Sequence, residues 1–184
     1  SIKELGLPEN SWSAFETHHH AVPFPPGKLI YLQGSPADRF YYLKSGRVKV
    51  FINSEDGSEK ILTVYEAGNV FGEASFFDGL PRVSSAITVT RCEIVVIDRP
   101  TLEEEMRQTA LAQPGVLGVD RLQTRLFGNR IYVEVEIAAD GEVPLAEAHE
   151  TSAQVHHAME RRFPMVKHCM VHVNPRIVAS KRLP

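Results

Sequence analysis

Apolar and polar positions alternate in short runs through the first half of the chain. The runs are PPGKLIYLQG (25–34), FYYLKSGRVKVFI (40–52), GSEKILTVYEAGNVFGE (57–73) and SAITVTRCEIVVID (85–98), punctuated by glycines at 27, 34, 46, 57, 68 and 79. Strands of this length between turn residues predict an antiparallel roll or sandwich. Asp56-Gly57 within 54–58 predicts a hairpin turn. The period changes at Asp98. Residues 98–112 predict a helix, with Asp98 as N-cap, Pro100 in the first turn and acidic residues at 103–105 in the half that the helix dipole favours. Gln113-Pro114-Gly115 ends it. Two strands are predicted next, 116–126 and 129–138, joined at Phe127-Gly128-Asn129. In the second, Ile131, Val133, Val135 and Ile137 take one face and Tyr132, Glu134 and Glu136 the other. Leu145, Ala148, Ser152, Val155, Met159 and Arg162 recur at helical spacing between Pro144 and Phe163, Pro164 stops that helix, and 167–173 reads as a last strand. A shorter helical stretch over Ser11–His20 would pack on the roll through Trp12 and Phe15. The chain is therefore α+β: a jelly-roll-like β-roll followed by an αββαβ unit.

Composition adds limits. The 184 residues suffice for one large or two small domains. A hydrophobic fraction of 43% with 23% charged residues is that of an ordinary globular protein. The net charge of −3 weighs against a broad nucleic-acid-binding face, since basic residues are dense only at Arg161-Arg162 and in the 176–182 tail. No apolar run reaches about 18 residues, and no signal peptide is visible. We therefore expect a cytoplasmic protein without membrane insertion. Cys92 and Cys169 fit reduced core thiols of that compartment. No nucleophile elbow, phosphate-binding loop, metal-hydrolase motif or carboxylate pair at readable spacing occurs, so an enzyme is not expected.

The stretch Val70–Ala86, VFGEASFFDGLPRVSSA, carries the chemistry of the first half. Gly72 lets backbone N–H groups approach a phosphate closely. Arg82 supplies a permanent bidentate fork, and Glu73 can accept hydrogen bonds from ribose hydroxyls. This stretch resembles the phosphate-binding cassette of cyclic-nucleotide-binding domains, as in the CRP/FNR regulators and the regulatory subunit of cAMP-dependent protein kinase. The similarity extends over about residues 12–100. It implies a ligand set of Gly72, Glu73, Ala74, Ser75, Arg82, Val83, Ser84 and Ser85. Glu73 would take the ribose 2′-hydroxyl and Arg82 the cyclic phosphate of cAMP or cGMP. The backbone N–H groups of Gly72, Ala74 and Ser75 would assist, with Ser84 or Ser85 near the phosphate or base. Another small anion, or a purely structural roll, stays open. In CRP-type regulators a long dimerisation helix and a helix-turn-helix follow; here the helix stops after three or four turns and no helix-turn-helix pattern comes after it.

The second half carries a different resemblance. PGVLGVDRLQTRLFGNRIYVEVEI, PLAEAH, RRFP and HCMVHVNP, in this order over 113–175, resemble the cytoplasmic C-terminal domain of cation diffusion facilitators, the zinc and iron efflux transporters. The resemblance implies a ferredoxin-like fold, a homodimer and a divalent metal, zinc above all, held by Asp120, Glu136, His149 and His172. Asn174 matches more weakly, and His168 and Cys169 lie close by in sequence. Where that family often has histidine, Asp120 and Glu136 stand here, which points to a weaker site or a harder ion. A metal-free dimerisation module is the alternative. His156 and His157 read as ordinary surface residues, and His18-His19-His20 as an exposed polar turn, because successive helical side chains diverge by about 100°.

Together these imply a ligand-sensing, non-catalytic regulator. Residues 1–100 would form the cyclic-nucleotide-binding roll, 101–112 a linking helix, and 113–184 the dimerising, metal-binding module. Ligand in the roll would shift the helix and so the dimer. Two alternatives remain: a transcription regulator of CRP/FNR descent lacking its own helix-turn-helix, and a soluble regulatory part of, or partner for, a cation transporter.

Overall fold

The computed structural model describes residues 19–127 and 130–178. The helix read over 11–20, with Trp12, Phe15 and His18, lies outside these apart from His19 and His20, as does the 128–129 turn. The chain divides into two compact units that meet between Arg99 and Pro100.

The first unit is a roll of eight short strands, β1 (Val22–Phe24), β2 (Leu29–Tyr31), β3 (Arg39–Ser45), β4 (Arg47–Asn53), β5 (Glu59–Glu66), β6 (Val70–Phe71), β7 (Ser85–Thr88) and β8 (Cys92–Asp98), with one short helix, α1 (Glu73–Asp78). The strands form two sheets, β1-β8-β3-β6 and β2-β7-β4-β5, with β4 and β5 joined as a hairpin in the second, and every pairing is antiparallel. The inward residues Tyr41, Leu43, Val48, Val50, Phe71, Ala86, Cys92 and Ile94 fill the space between them. The predicted roll is confirmed, including the turn at Asp56, whose carboxylate accepts from Ser58 N at 2.9 Å. The Phe76-Phe77 pair explains where α1 sits. Both rings lie against Phe40 of β3, at centroid distances of 5.1 and 5.4 Å, and so clamp the helix to the roll.

The second unit holds α2 (Arg99–Leu111), β9 (Gly118–Phe127), β10 (Arg130–Asp140), α3 (Leu145–Arg162) and β11 (Val166–Arg176). This is the expected α-β-β-α-β order. The sheet order is β11-β10-β9, with β10 antiparallel to β9 and parallel to β11, so α3 is the crossover a parallel pair requires. The alternation read in β10 holds: Ile131, Val133, Val135 and Ile137 are buried while Tyr132 is exposed. Two readings change. The inward stripe of α3 is Thr151, Val155, Ala158 and Met159, whereas Leu145 is exposed; the pattern was phased from the helix start, where the first turn covers no core. The helix read as a link is packed within the second unit. Arg107 Nη1 donates to Val119 O at 3.0 Å and Thr124 Oγ1 to Glu103 at 2.5 Å. Gln113-Pro114-Gly115 does close that helix, and Gly115, at φ +83°, is required there because a Cβ would lie 2.6 Å from Thr151 Oγ1.

The α2–α3 contact includes a largely buried ion pair, Arg162 Nη2 to Glu105 Oε2 at 3.0 Å. Removing the cation leaves the buried carboxylate short of its cationic partner. Arg162→Ala is expected to lower unfolding free energy by about 2 kcal/mol, below the range for fully buried pairs because the arginine is part-exposed. Urea denaturation checks this; an unchanged midpoint would show the pair contributes nothing.

Candidate functional site

Arg82 lies in a loop after α1, and its placement is imposed from both sides by backbone. Its N–H donates to Ser35 O at 2.8 Å, and its carbonyl accepts from Gly34 N at 2.7 Å. The side chain is only 3% exposed. Nη1 donates to Gly72 O at 2.5 Å, and Nη2 donates to Arg39 O. The guanidinium carbon Cζ lies over the Tyr31 ring, 4.3 Å from its centroid, a favourable cation–π distance. Tyr31 is part of an aromatic layer with Tyr41 and Phe71, at 5.9 and 6.4 Å. Two carbonyls and a ring thus hold the fork in one orientation. Its Nε–H is buried and has no hydrogen-bond partner, a state that costs about 1–3 kcal/mol.

Gly72 precedes α1 with φ +73° and ψ 7°, a left-handed conformation, and no side chain caps the helix there. A Cβ at this position would lie 2.8 Å from Arg82 Nη1, 3.1 Å from Tyr31 Cε1 and 3.3 Å from Tyr41 Cδ2. Both conformation and close approach therefore demand glycine. Glu73 follows at once, half-buried. Burial pushes its carboxyl above the ordinary glutamate range, while the Arg82 charge pulls it down. Burial also pushes the Tyr31 phenol up to about 12, and the Ser84 side chain hydrogen-bonds it.

Gly72 and Glu73 therefore lie beside Arg82, and Ser84 reaches the same place through Tyr31. The other predicted members differ in setting. Ser75 is buried, and its carbonyl closes the end of α1 by accepting from Gly79 N. Ser85 is fully buried, and its hydroxyl accepts from Gln33 N at 2.9 Å, an internal contact between β7 and the end of β2. Ala74 and Val83 are exposed, Val83 at 67%. Tyr31 was missed: it lies some fifty residues before Arg82, and only the packing of β2 against the cassette brings them together. The arrangement can hold one anionic group at Arg82, with hydroxyl recognition at Glu73.

Glu73 carries a pH prediction. An acid whose pKa is raised by folding stabilises the protein fully only at low pH, and that contribution is lost as pH rises through the folded value. Glu73→Gln, neutral throughout, is expected to melt higher than wild type at pH 8 and to match it near pH 4. Equal melting at pH 8 would show that the buried charge costs nothing.

Of the four residues read as metal ligands, Asp120 and Glu136 lie together about Asn174, but the four do not bring three donor atoms within 4.8 Å of one another. Asp120 accepts from Arg176 Nη2 at 2.7 Å and Asn174 Nδ2 at 3.1 Å. Glu136 faces Arg121 Nη1 at 3.6 Å and Asn174 Nδ2 at 3.4 Å. His172 is the cross-strand neighbour of Glu136 and lies 3.5 Å from Glu134. His149 sits in the first turns of α3 and joins none of them in a group of three donors. Both carboxylates are paired with arginines, Glu136 with Arg121 and Asp120 with Arg176. Cys92 and Cys169 are free buried thiols, each within its own unit. Among the described residues no helix is long and apolar enough to cross a membrane.

Comparison with known proteins agrees with this division. Residues 21–109 match the cyclic nucleotide-binding domain, and residues 99–176 the cytoplasmic domain of cation efflux proteins. A CRP-like cAMP-activated global transcriptional regulator of Mycobacterium tuberculosis is 38% identical over 97 residues, 53% of this chain and 43% of that protein. A cAMP-dependent protein kinase regulatory subunit of Aspergillus niger is 34% identical over 79 residues, 43% of this chain and 18% of that protein. This chain therefore spans less than half the length of either. Among solved structures, a c-di-GMP responsive global regulator of Xanthomonas campestris is 27% identical, with 57% of this chain and 51% of that one covered and a TM-score of 0.49. This chain thus joins a segment similar to cyclic nucleotide-binding domains, residues 21–109, to one similar to the cytoplasmic domain of cation efflux proteins, residues 99–176.

Proposed function

We propose that this chain is a non-catalytic regulator that binds a cyclic nucleotide, cAMP or cGMP, in its first unit and forms a homodimer through its second. The observation that carries the reading is the Arg82 fork, oriented by Gly72 O, Arg39 O and Tyr31, with a buried Nε–H that lacks a partner. A cyclic phosphate would take up the Nη protons that Gly72 O and Arg39 O leave, and the permanent charge of arginine matches the anion at any working pH. Glu73, beside Arg82, receives the ribose hydroxyl. Exposed Ile61, Leu62 and Val64 on the edge strand β5 offer apolar surface to a base. Ile61 is in register with Phe51, and Phe51 with Ser85 of the cassette strand β7.

The two family matches share α2: the first runs to residue 109 and the second begins at 99. No residue separates the end of β8 from the start of α2. This continuity supports a role for α2 in passing ligand occupancy to the dimer, with occupancy shifting the population of dimer geometries. Calorimetric titration with cAMP and cGMP tests the first part, and sedimentation with and without the nucleotide the second. Saturable heat and a nucleotide-dependent dimer constant are expected. An identical dimer constant in both conditions would separate the two functions.

A second reading follows from the match of residues 99–176 to the cytoplasmic domain of cation efflux proteins: the dimerising unit docks on a transporter of that class. Co-purification with such a transporter, strengthened or weakened by nucleotide, tests it.

A further inference from the structure

The late turns of α3 bring together His156, His157 and Glu160, whose ligating atoms all lie within 4.8 Å of one another. Position 160 stands three residues after His157 and four after His156. On a helix both spacings make neighbours, so Glu160 projects between the two imidazoles although these diverge from each other. Their rings stand perpendicular, at 86°, with centroids 5.5 Å apart.

The hydrogen bonding of His156 fixes its proton. Nδ1 lies 2.8 Å from Cys169 O on β11. A carbonyl only accepts, so Nδ1 is the donor. In a neutral ring this leaves a lone pair on Nε2. That lone pair faces Glu160 Oε1 at 3.1 Å. Two acceptors repel at this distance unless a cation lies between them, either a proton on Nε2 or a metal ion. Zinc-type ions bind such atoms at about 2.0–2.1 Å, and a tetrahedral angle then separates two ligand atoms by about 3.3 Å. A ligating histidine whose other ring nitrogen donates to a backbone carbonyl is the usual outer-shell arrangement of a metal site. His157 and Glu160 are exposed and can close by side-chain rotation. A hollow lined by Gln113, Gln154, His157, Glu160 and Arg161 lies beside them and leaves room for a fourth ligand such as water.

We propose that His156, His157 and Glu160 form a binding site for a divalent transition-metal ion of the zinc class, separate from the Asp120, Glu136, His149 and His172 set. Two imidazoles and one carboxylate favour zinc, nickel, cobalt or copper over calcium or magnesium, which take oxygen-rich shells. The sequence alone hid this site, because adjacent histidines on an amphipathic helix read as surface, and Glu160 completes the set only through the helical turn.

The test uses the full chain with His18, His19 and His20 replaced by alanine, which removes competing imidazoles. Cobalt chloride is titrated by visible absorption and zinc chloride by competition against it. Saturable one-to-one binding is expected. His156→Ala and Glu160→Gln are expected to weaken it by about tenfold or more, and His149→Ala/His172→Ala to leave it unchanged. Glu160→Gln changes an exposed side chain, so its fold is checked simply by melting. Loss of binding in the His149/His172 variant instead, equal binding in Glu160→Gln and parent, or no saturable binding with His156 simply protonated, would each overturn the proposal.

Discussion

Arg82→Lys is expected to weaken cyclic nucleotide binding by roughly two to four orders of magnitude while the roll stays folded. The guanidinium performs two tasks at once. Nη1 and Nη2 are committed to Gly72 O and Arg39 O, and the guanidinium carbon lies over the Tyr31 ring. The remaining Nη protons are what a phosphate can use. An ammonium has three donors on one atom and no planar face, so it cannot anchor to two carbonyls and also present a fork. Loss of two charge-assisted hydrogen bonds, each about 1.5–3 kcal/mol, sets the magnitude. Stability is expected to fall by only about 1–2 kcal/mol, since the lysine retains one carbonyl contact and much of its alkyl packing. Calorimetry with cAMP and cGMP reads the first effect and thermal melting the second. Equal affinity in variant and wild type would remove Arg82 from the site. Absence of heat with wild type, at ligand far above micromolar, would sink the nucleotide reading and leave another anion as the ligand.

The parts of this fold legible in the sequence are those where local pattern and tertiary demand coincide. β10 alternates because one face meets the core and the other is open, so Ile131 to Ile137 could be placed by eye. The α3 phase was misjudged because Leu145 satisfies helical spacing yet lies in a first turn with no core to cover. Chain order showed that a helix lies between the two units. It did not show to which unit α2 belongs, because that depends on contacts such as Arg107 with Val119 O.

The candidate sites divide the same way. Gly72, Glu73 and Arg82 are close in sequence and converge on one short helix and its flanks, so a linear motif could name them. Tyr31 and the Arg39 carbonyl belong to other strands, and nothing in their local sequence marks them. The surroundings of the residues read as metal ligands were visible only in three dimensions: Arg121 and Arg176 sit across the sheet from Glu136 and Asp120 and pair with their carboxylates.

Gly72→Ala is expected to destabilise the first unit by about 2–3 kcal/mol and to abolish high-affinity nucleotide binding together with it. Two independent costs contribute. A left-handed φ of +73° is unfavourable for alanine by about 1–2 kcal/mol. The new methyl would also stand 2.8 Å from Arg82 Nη1, so the guanidinium must leave Gly72 O and lose its orientation. Tyr31 and Tyr41, at 3.1 and 3.3 Å, block retreat on the other sides. A double-mutant cycle separates the costs. With Arg82→Ala the space in front of Gly72 is vacant, and Gly72→Ala should then cost only its backbone share, about 1–2 kcal/mol. A coupling energy of about 1 kcal/mol between the positions is therefore expected from denaturant melts of the four proteins. Purely additive costs would show that the glycine serves the turn alone. A positive coupling, with binding lost in Gly72→Ala even where the protein is fully folded, would mean that the left-handed turn exists to let the fork approach, which ties backbone geometry directly to phosphate recognition.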